Sequence, residues 1–104
     1  MKNYVYIFTR QDISPEQQLV QSAHVALKLG SHLGKSIDPD ETYFTVVGVR
    51  DGDALQSVRE LLRNYDRKHV VFYEPDIDGF TSVATYPIPE GDRNELLAFS
   101  WLKF

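Results

Sequence analysis

Five polar side chains, Gln17, Gln21, His24, Lys28 and His32, recur at three- and four-residue steps within SPEQQLVQSAHVALKLGSHL (residues 14–33). At roughly 100° per residue, such steps stack side chains nearly one above another on a single helical face. An imidazole flanked by amides and an ammonium can move a proton and orient a carbonyl or a water. A second polar group stands far along the chain, where Glu74, Asp76 and Asp78 cluster in EPDIDGFT just ahead of Thr81. Bringing a carboxylate and a hydroxyl beside His24 assembles a set for general acid–base chemistry on an ester or amide. His24, Gln21, Asp76 and Thr81 are therefore candidate catalytic residues, and Gln17, Lys28 and Glu74 candidates for holding a substrate. Each also has an ordinary reading: a helix histidine satisfied by a neighbouring carbonyl, turn aspartates, a strand threonine.

Other chemistries find no support. No GxSxG elbow, P-loop, GxGxxG fingerprint or HExxH pair occurs, and there is no cysteine. No thiol nucleophile or thiolate metal site is available, and His24 and His32 have no carboxylate on their line between them. Neither a metal nor a cofactor is expected.

The elements that must position these residues follow from the pattern. Ser14 is a helix cap, Pro15 suits the first helical position, and Gln17 completes a capping box. Leu19, Val20, Ala23, Ala26, Leu27, Gly30 and Leu33 form a broad apolar sector expected to pack on the body, with His24 at its border. Ahead of this helix, Asn3–Arg10 reads as a strand covered on both faces. After it come a loop over residues 36–40 and a second strand, Tyr43–Val49, in which Gly48 admits a close approach or a bulge. Asp51-Gly52-Asp53 caps a second helix carrying Leu55, Val58, Leu61, Leu62 and Tyr65, and His69–Tyr73 is a third strand. Two strand–helix–strand units in series call for parallel pairing. The acidic turn then leads into a fourth, antiparallel strand, Phe80–Ile88, followed by a short helix or turn at Asn94–Trp101 and an apolar tail, Leu102-Lys103-Phe104. The expected architecture is α/β: a small mixed sheet of about four strands, three parallel and one antiparallel, with helices packed on it. Ligands in such sheets bind beyond the carboxyl ends of the parallel strands. The first helix starts at that edge and the acidic turn ends there, which predicts one shared cleft.

At 104 residues the chain makes one domain, 1–104, and 42% hydrophobic with 25% charged residues is the balance of a soluble globule. A net charge of -4 argues against nucleic-acid binding by bulk charge. A local basic patch of Arg59, Arg63, Arg67 and Lys68 stays open beside its plainer reading as a solvated surface. The opening MKNYVYIF has too short an apolar run for a signal peptide or a membrane span, so a cytoplasmic protein without a membrane partner is expected.

Two short motifs carry a family resemblance. Gln21-x-x-His24-x-Ala26 on the first helix, and Thr81-Ser-Val-Ala-Thr-Tyr-Pro87 on the fourth strand, resemble segments of the type II peptidyl-tRNA hydrolases of archaea and eukaryotes. That family carries GK-x-x-A-Q-x-x-H-A on its helix and T-x-L-x-I-G-P on its strand; the order of elements and the apolar Trp-Leu-Lys-Phe ending are also similar. The resemblance implies a metal-independent hydrolase that cuts the ester joining a peptide to the terminal ribose of tRNA. His24 or Asp76 would activate water, Gln21 would orient it or the carbonyl, and Thr81 would hydrogen-bond the scissile region. The chain departs from the family in two places. Gln17 stands where the family has a lysine, which removes a charge suited to a phosphate or oxyanion. Glu74-Pro75-Asp76 replaces the family's D-A-G-x-T, and the second threonine has no counterpart. The departures leave an alternative in which the chain binds a tRNA end or a small nucleotide through Gln17, Gln21 and Thr81 without cleaving it. Many relatives are dimers, so a homodimer is an expectation that comes with the resemblance.

Overall fold

Strand β1 (Asn3–Arg10) runs through the middle of the molecule, and every other strand but one is registered against it. The structure, a computed structural model, describes residues 2–93. After β1 come α1 (Pro15–Leu33), β2 (Thr42–Val49), α2 (Gly52–Asn64), β3 (His69–Glu74), β4 (Gly79–Thr85) and the two-residue β5 (Ile88–Pro89). The short helix or turn at Asn94–Trp101 and the tail expected after it lie outside the described residues.

The five strands form one mixed sheet in the order β2-β1-β4-β3, with β5 pairing β1 beyond the end of β4. This corrects the expected strand pairing. β1, β2 and β3 do point the same way, but β4 inserts between β1 and β3 and runs against both, so only β1–β2 is a parallel pair. The hairpin turn after β3 folds β4 back at once, and β4 then takes the free side of β1. The expected fourth strand also divides: Tyr86 and Pro87 interrupt it, and Ile88–Pro89 resumes as β5.

One helix covers each face. On the α1 side Val5 and Ile7 of β1 meet Val25, Leu29, Val70 and Ala84. On the α2 side Phe8 meets Val49, Leu55, Val58, Leu62 and Val83. Alternate residues of β1 thus serve two cores, which is why the strand is apolar throughout.

Only part of the apolar sector expected to seat α1 does so: Ala26 and Leu33 pack on the core, and the rest turns outward. Leu19 and Leu27 are 74% and 72% exposed and Val20 is 43% exposed, while the sheet takes Gln21, Val25 and Leu29. Burial of a polar Gln21 is possible because β4 offers it hydroxyl partners, described below. The capping box is also half made: Ser14 accepts the Gln17 backbone N–H (3.2 Å), but the Gln17 side chain turns to Gln21 rather than back to the cap. At Gly48 the close approach is by the Gln11 side chain, which occupies the space a Cβ would need.

A bidentate pair closes the end of β1, with Arg10 Nε and Nη2 donating to Asp12 at 2.8 and 2.7 Å. Arg10 holds the Asp12 carboxyl below its ordinary range, and the Ala54 backbone N–H does the same for the Asp51 cap of α2. A folded-state pKa below the unfolded one gives stability that is present above the ordinary Asp range and lost as pH falls through the folded value. Wild-type stability in urea should therefore fall as pH is taken from 5 toward 2, and Asp12→Asn should lose less over the same interval; parallel losses would show that the Arg10 pair contributes nothing.

Candidate functional site

A bulge in β4 builds the most unusual feature of the molecule. Phe72 pairs with Ser82 and Tyr73 with Phe80, so Thr81 is an extra residue with no partner on β3. Regular alternation would send Thr81 and Ser82 to opposite faces. The bulge turns Thr81 so that both reach the same residue of α1. Thr81 Oγ1 donates to Gln21 Oε1 at 2.6 Å, and Ser82 Oγ donates to the Gln21 backbone oxygen at 2.9 Å.

Gln21 is fully buried, and its amide is completely engaged. Its Nε2 donates to Gln17 Oε1 and to Glu74 Oε1, both at 3.1 Å. The chain is ordered by direction: the Glu74 carboxylate, which can only accept, fixes which end of the Gln21 amide is the NH2 group, and that leaves Oε1 to accept from the Thr81 hydroxyl. One turn of backbone also holds Glu74, whose carbonyl accepts the Ile77 N–H at 3.1 Å, and the turn is completed by Asp78 at φ 56, a left-handed position that aspartate tolerates. Tyr73 donates its hydroxyl to Asp78, and that carboxylate pushes the phenol pKa up. The other Glu74 oxygen makes no hydrogen bond among the described residues and is not buried, so it is open to a ligand at the rim.

His24 lies one step further along the same seam. Its ring stacks on Phe72 at 4.6 Å between centroids and 9° between planes. Phe72 and Glu74 are alternate residues on one face of β3, so the residue that seats the imidazole and the acid stand one strand repeat apart, about 7 Å between Cα atoms. Lys28 follows, with Nζ donating to the Val71 carbonyl at 2.7 Å. The polar line read from the sequence therefore lies along β3, and Gln17, Gln21, Glu74 and Thr81 come together by direct hydrogen bonds. Asp76 does not join them: it stands exposed in the β3–β4 turn with no hydrogen bond or ion pair among the described residues. Phe72, Ser82, and the Thr9–Ser22 hydroxyl pair behind them (2.7 Å) had no signal of their own in the sequence, because a strand hydroxyl or aromatic announces nothing until its neighbour across the seam is known.

The same line ends at a concavity. His32, Arg63, Arg67, Lys68, His69 and Tyr86 border a cleft of about 690 Å³, with Asp66 also on its wall. Arg67 pairs with Asp92 at 3.3 Å, whereas Arg63 and Lys68 make no side-chain hydrogen bond or ion pair among the described residues. Arg59, grouped with them on the sequence, lies elsewhere, its guanidinium over the Phe80 ring at 4.9 Å; α2 also ends at Asn64, before Arg67. His32 is eleven residues from Gln21 along α1, roughly 16 Å at 1.5 Å per residue.

No family model matches the chain, and no curated protein matches it significantly. Among solved structures, a protein of unknown function from Agrobacterium tumefaciens has a similar fold, with a TM-score of 0.61 at 14% identity over 82% of this chain and 86% of that one. The likeness covers the α/β architecture: a mixed sheet with two helices. No helix among the described residues is long and apolar enough to cross a membrane.

Proposed function

We propose that the seam between α1 and β3 is a hydrolytic site for an ester of the peptidyl-tRNA type. The bulge at Thr81 carries this reading, because it commits a buried hydroxyl and a buried amide to aiming one rim carboxylate. Polar groups are costly to bury, and a bulge that re-aims a side chain is characteristic of functional sites. In this reading Glu74 takes a proton from water as the water oxygen attacks the ester carbonyl carbon. The bond to the ribose oxygen breaks, and the proton passes to that oxygen as it leaves as a hydroxyl. Gln21 and Thr81 act as positioning residues, since their side chains are spent on one another and on Glu74, and Gln17 supports them by accepting from Gln21. His24, exposed on its Phe72 platform along the same seam, would hydrogen-bond the reacting ester. The role expected of Asp76 passes to Glu74, the acid that Gln21 reaches.

The basic cleft supports a nucleic-acid substrate in spite of the net charge of -4, by gathering cations at the far end of the polar line. Strand phosphates would lie there while the acylated ribose reached Glu74. The direct test is release of peptide from labelled peptidyl-tRNA: turnover by the wild type supports the reading, and none at high enzyme concentration overturns it. Replacing both Arg63 and Lys68 by Ala should weaken tRNA binding and lower the slope of log K against log salt by about 0.7–0.9 for each phosphate no longer neutralised. An unchanged slope would remove the cleft from the substrate path.

One observation favours binding without cleavage. Gln17 puts no charge at the opening of the site, and Lys28, the cation on the same line, donates to a backbone carbonyl. A tRNA end held tightly and left intact would establish that reading.

A further inference from the structure

Strand β2 is an edge without the usual protection. Edge strands invite pairing with other chains and are normally blunted by charge, proline, bulges or a covering element. TYFTVVGV has none of the first two, its pairing with β1 is unbroken, and no described element pairs its outer side. Apolar residues stand exposed on both of its faces: Phe44 at 50% and Val46 at 59% on the α1 side, Tyr43 at 44% on the other.

The free groups can be assigned. Gln11 N–H donates to the Val49 carbonyl at 2.7 Å, so Val49 points its backbone groups toward β1. Alternation along a parallel pair then directs the N–H and C=O of Thr42, Phe44, Val46 and Gly48 outward.

We propose that this edge is the surface on which two copies of the chain pair, β2 against β2 and antiparallel, about a two-fold axis centred on Thr45. A two-fold axis perpendicular to the sheet keeps each face on its own side, so a residue can oppose only residues of its own face, and the axis must pass beside a residue. Centring on Thr45 sets Phe44 against Val46 of the second copy on one face and Tyr43 against Val47 on the other. It also sets Arg50, whose side chain is 84% exposed, alongside the acidic end at Asp38, Asp40 and Glu41. Centring one residue later sets Phe44 against Gly48, Arg50 against Thr42 and Val46 against its own copy, and centring one residue earlier sets Val46 against Thr42 and Tyr43 against Thr45, so each neighbouring register keeps fewer apolar pairs. The outward backbone groups of Phe44 and Val46 then exchange hydrogen bonds directly, and Thr45 meets its own copy at a close, non-hydrogen-bonded position. This surface is independent of the α1–β3 site, and either assignment stands if the other fails.

The register is testable because the chain has no cysteine. Thr45→Cys should form a disulfide-linked dimer on mild oxidation, since the two Cα atoms would stand about 4.5 Å apart, within disulfide reach. Tyr43→Cys, displaced from its own copy, should remain unlinked. In sedimentation velocity the wild type should run near twice its 12.0 kDa chain mass and Val46→Lys near the single mass. Val46 is mostly exposed, so circular dichroism should be unchanged by that substitution. Arg50→Glu should weaken the dimer, and adding Asp40→Lys and Glu41→Lys should restore it. A wild type that stays monomeric as concentration rises overturns the proposal, including the case in which residues 94–104 cover the edge. Equal cross-linking at positions 43 and 45, or a larger assembly, overturns it as well.

Discussion

Glu74→Gln should lower the rate of peptidyl-tRNA hydrolysis by about 100-fold or more, with little change in KM or in the fold. The substitution keeps the shape of the side chain and an oxygen able to accept from Gln21 Nε2, so the contact at 3.1 Å survives. What it removes is the second oxygen's ability to take a proton from water, which is the role assigned to it. A general base is worth roughly 100- to 10,000-fold, the size of effect that separates chemistry from positioning. Measuring kcat and KM separately is essential, because a substrate-binding role for Glu74 would raise KM and leave kcat alone. Activity within about threefold of wild type would clear Glu74 of the chemistry, and His24→Asn would then be the variant to examine.

Gln21→Ala should cost about 3 kcal/mol of folding stability, a fall in Tm on the order of 10–20 °C. Three losses coincide. A cavity opens between α1 and β4 where the fully buried side chain stood, and Thr81 Oγ, itself wholly buried, is left with no acceptor. The Gln17 and Glu74 oxygens lose a donor as well, although both lie nearer the surface and can turn to water. Leu19→Ala is the contrast: a larger apolar truncation two residues away, but on a side chain 74% exposed, it should change stability by less than about 0.5 kcal/mol. Chemical denaturation of the two variants side by side checks this. A cost below about 1 kcal/mol for Gln21→Ala would mean that the hydrogen-bonded chain is not held by burial, and the positioning argument for Glu74 would fail with it.

Both expectations run against a hydrophobic reading of α1, which identifies the helix correctly but only the Ala26 and Leu33 part of its buried face. Periodicity reports that a helix has an apolar side; it does not report which partner is available to cover it. Here the sheet presents Thr9, Thr81 and Ser82 beneath the first half of α1, so the helix turns Gln21 and Ser22 inward and leaves Leu19, Val20 and Leu27 outside.

What the sequence by itself determined is mainly local. The strands at residues 3–10, 42–49 and 69–74 and both helices follow from β-branched and aromatic runs, from caps at Ser14 and Asp51, and from periodic leucines, because these depend on neighbours only a few residues away. The polar line from Gln17 to His32 was legible for the same reason. Its meeting with Glu74 and Thr81 followed from the general position of ligand sites at strand ends, though not which acid would be reached. Tertiary structure alone decided the rest. Strand order depends on which edge β4 found free, and no short-range signal encodes that choice. The displacement of Thr81 onto Gln21 depends on a one-residue slip between β3 and β4, which flips side chains between faces without leaving a mark in composition. Glu74 rather than Asp76 stands at Gln21 because β3 runs one residue past Tyr73, carrying Glu74 onto the α1 face while Asp76 is left in the turn.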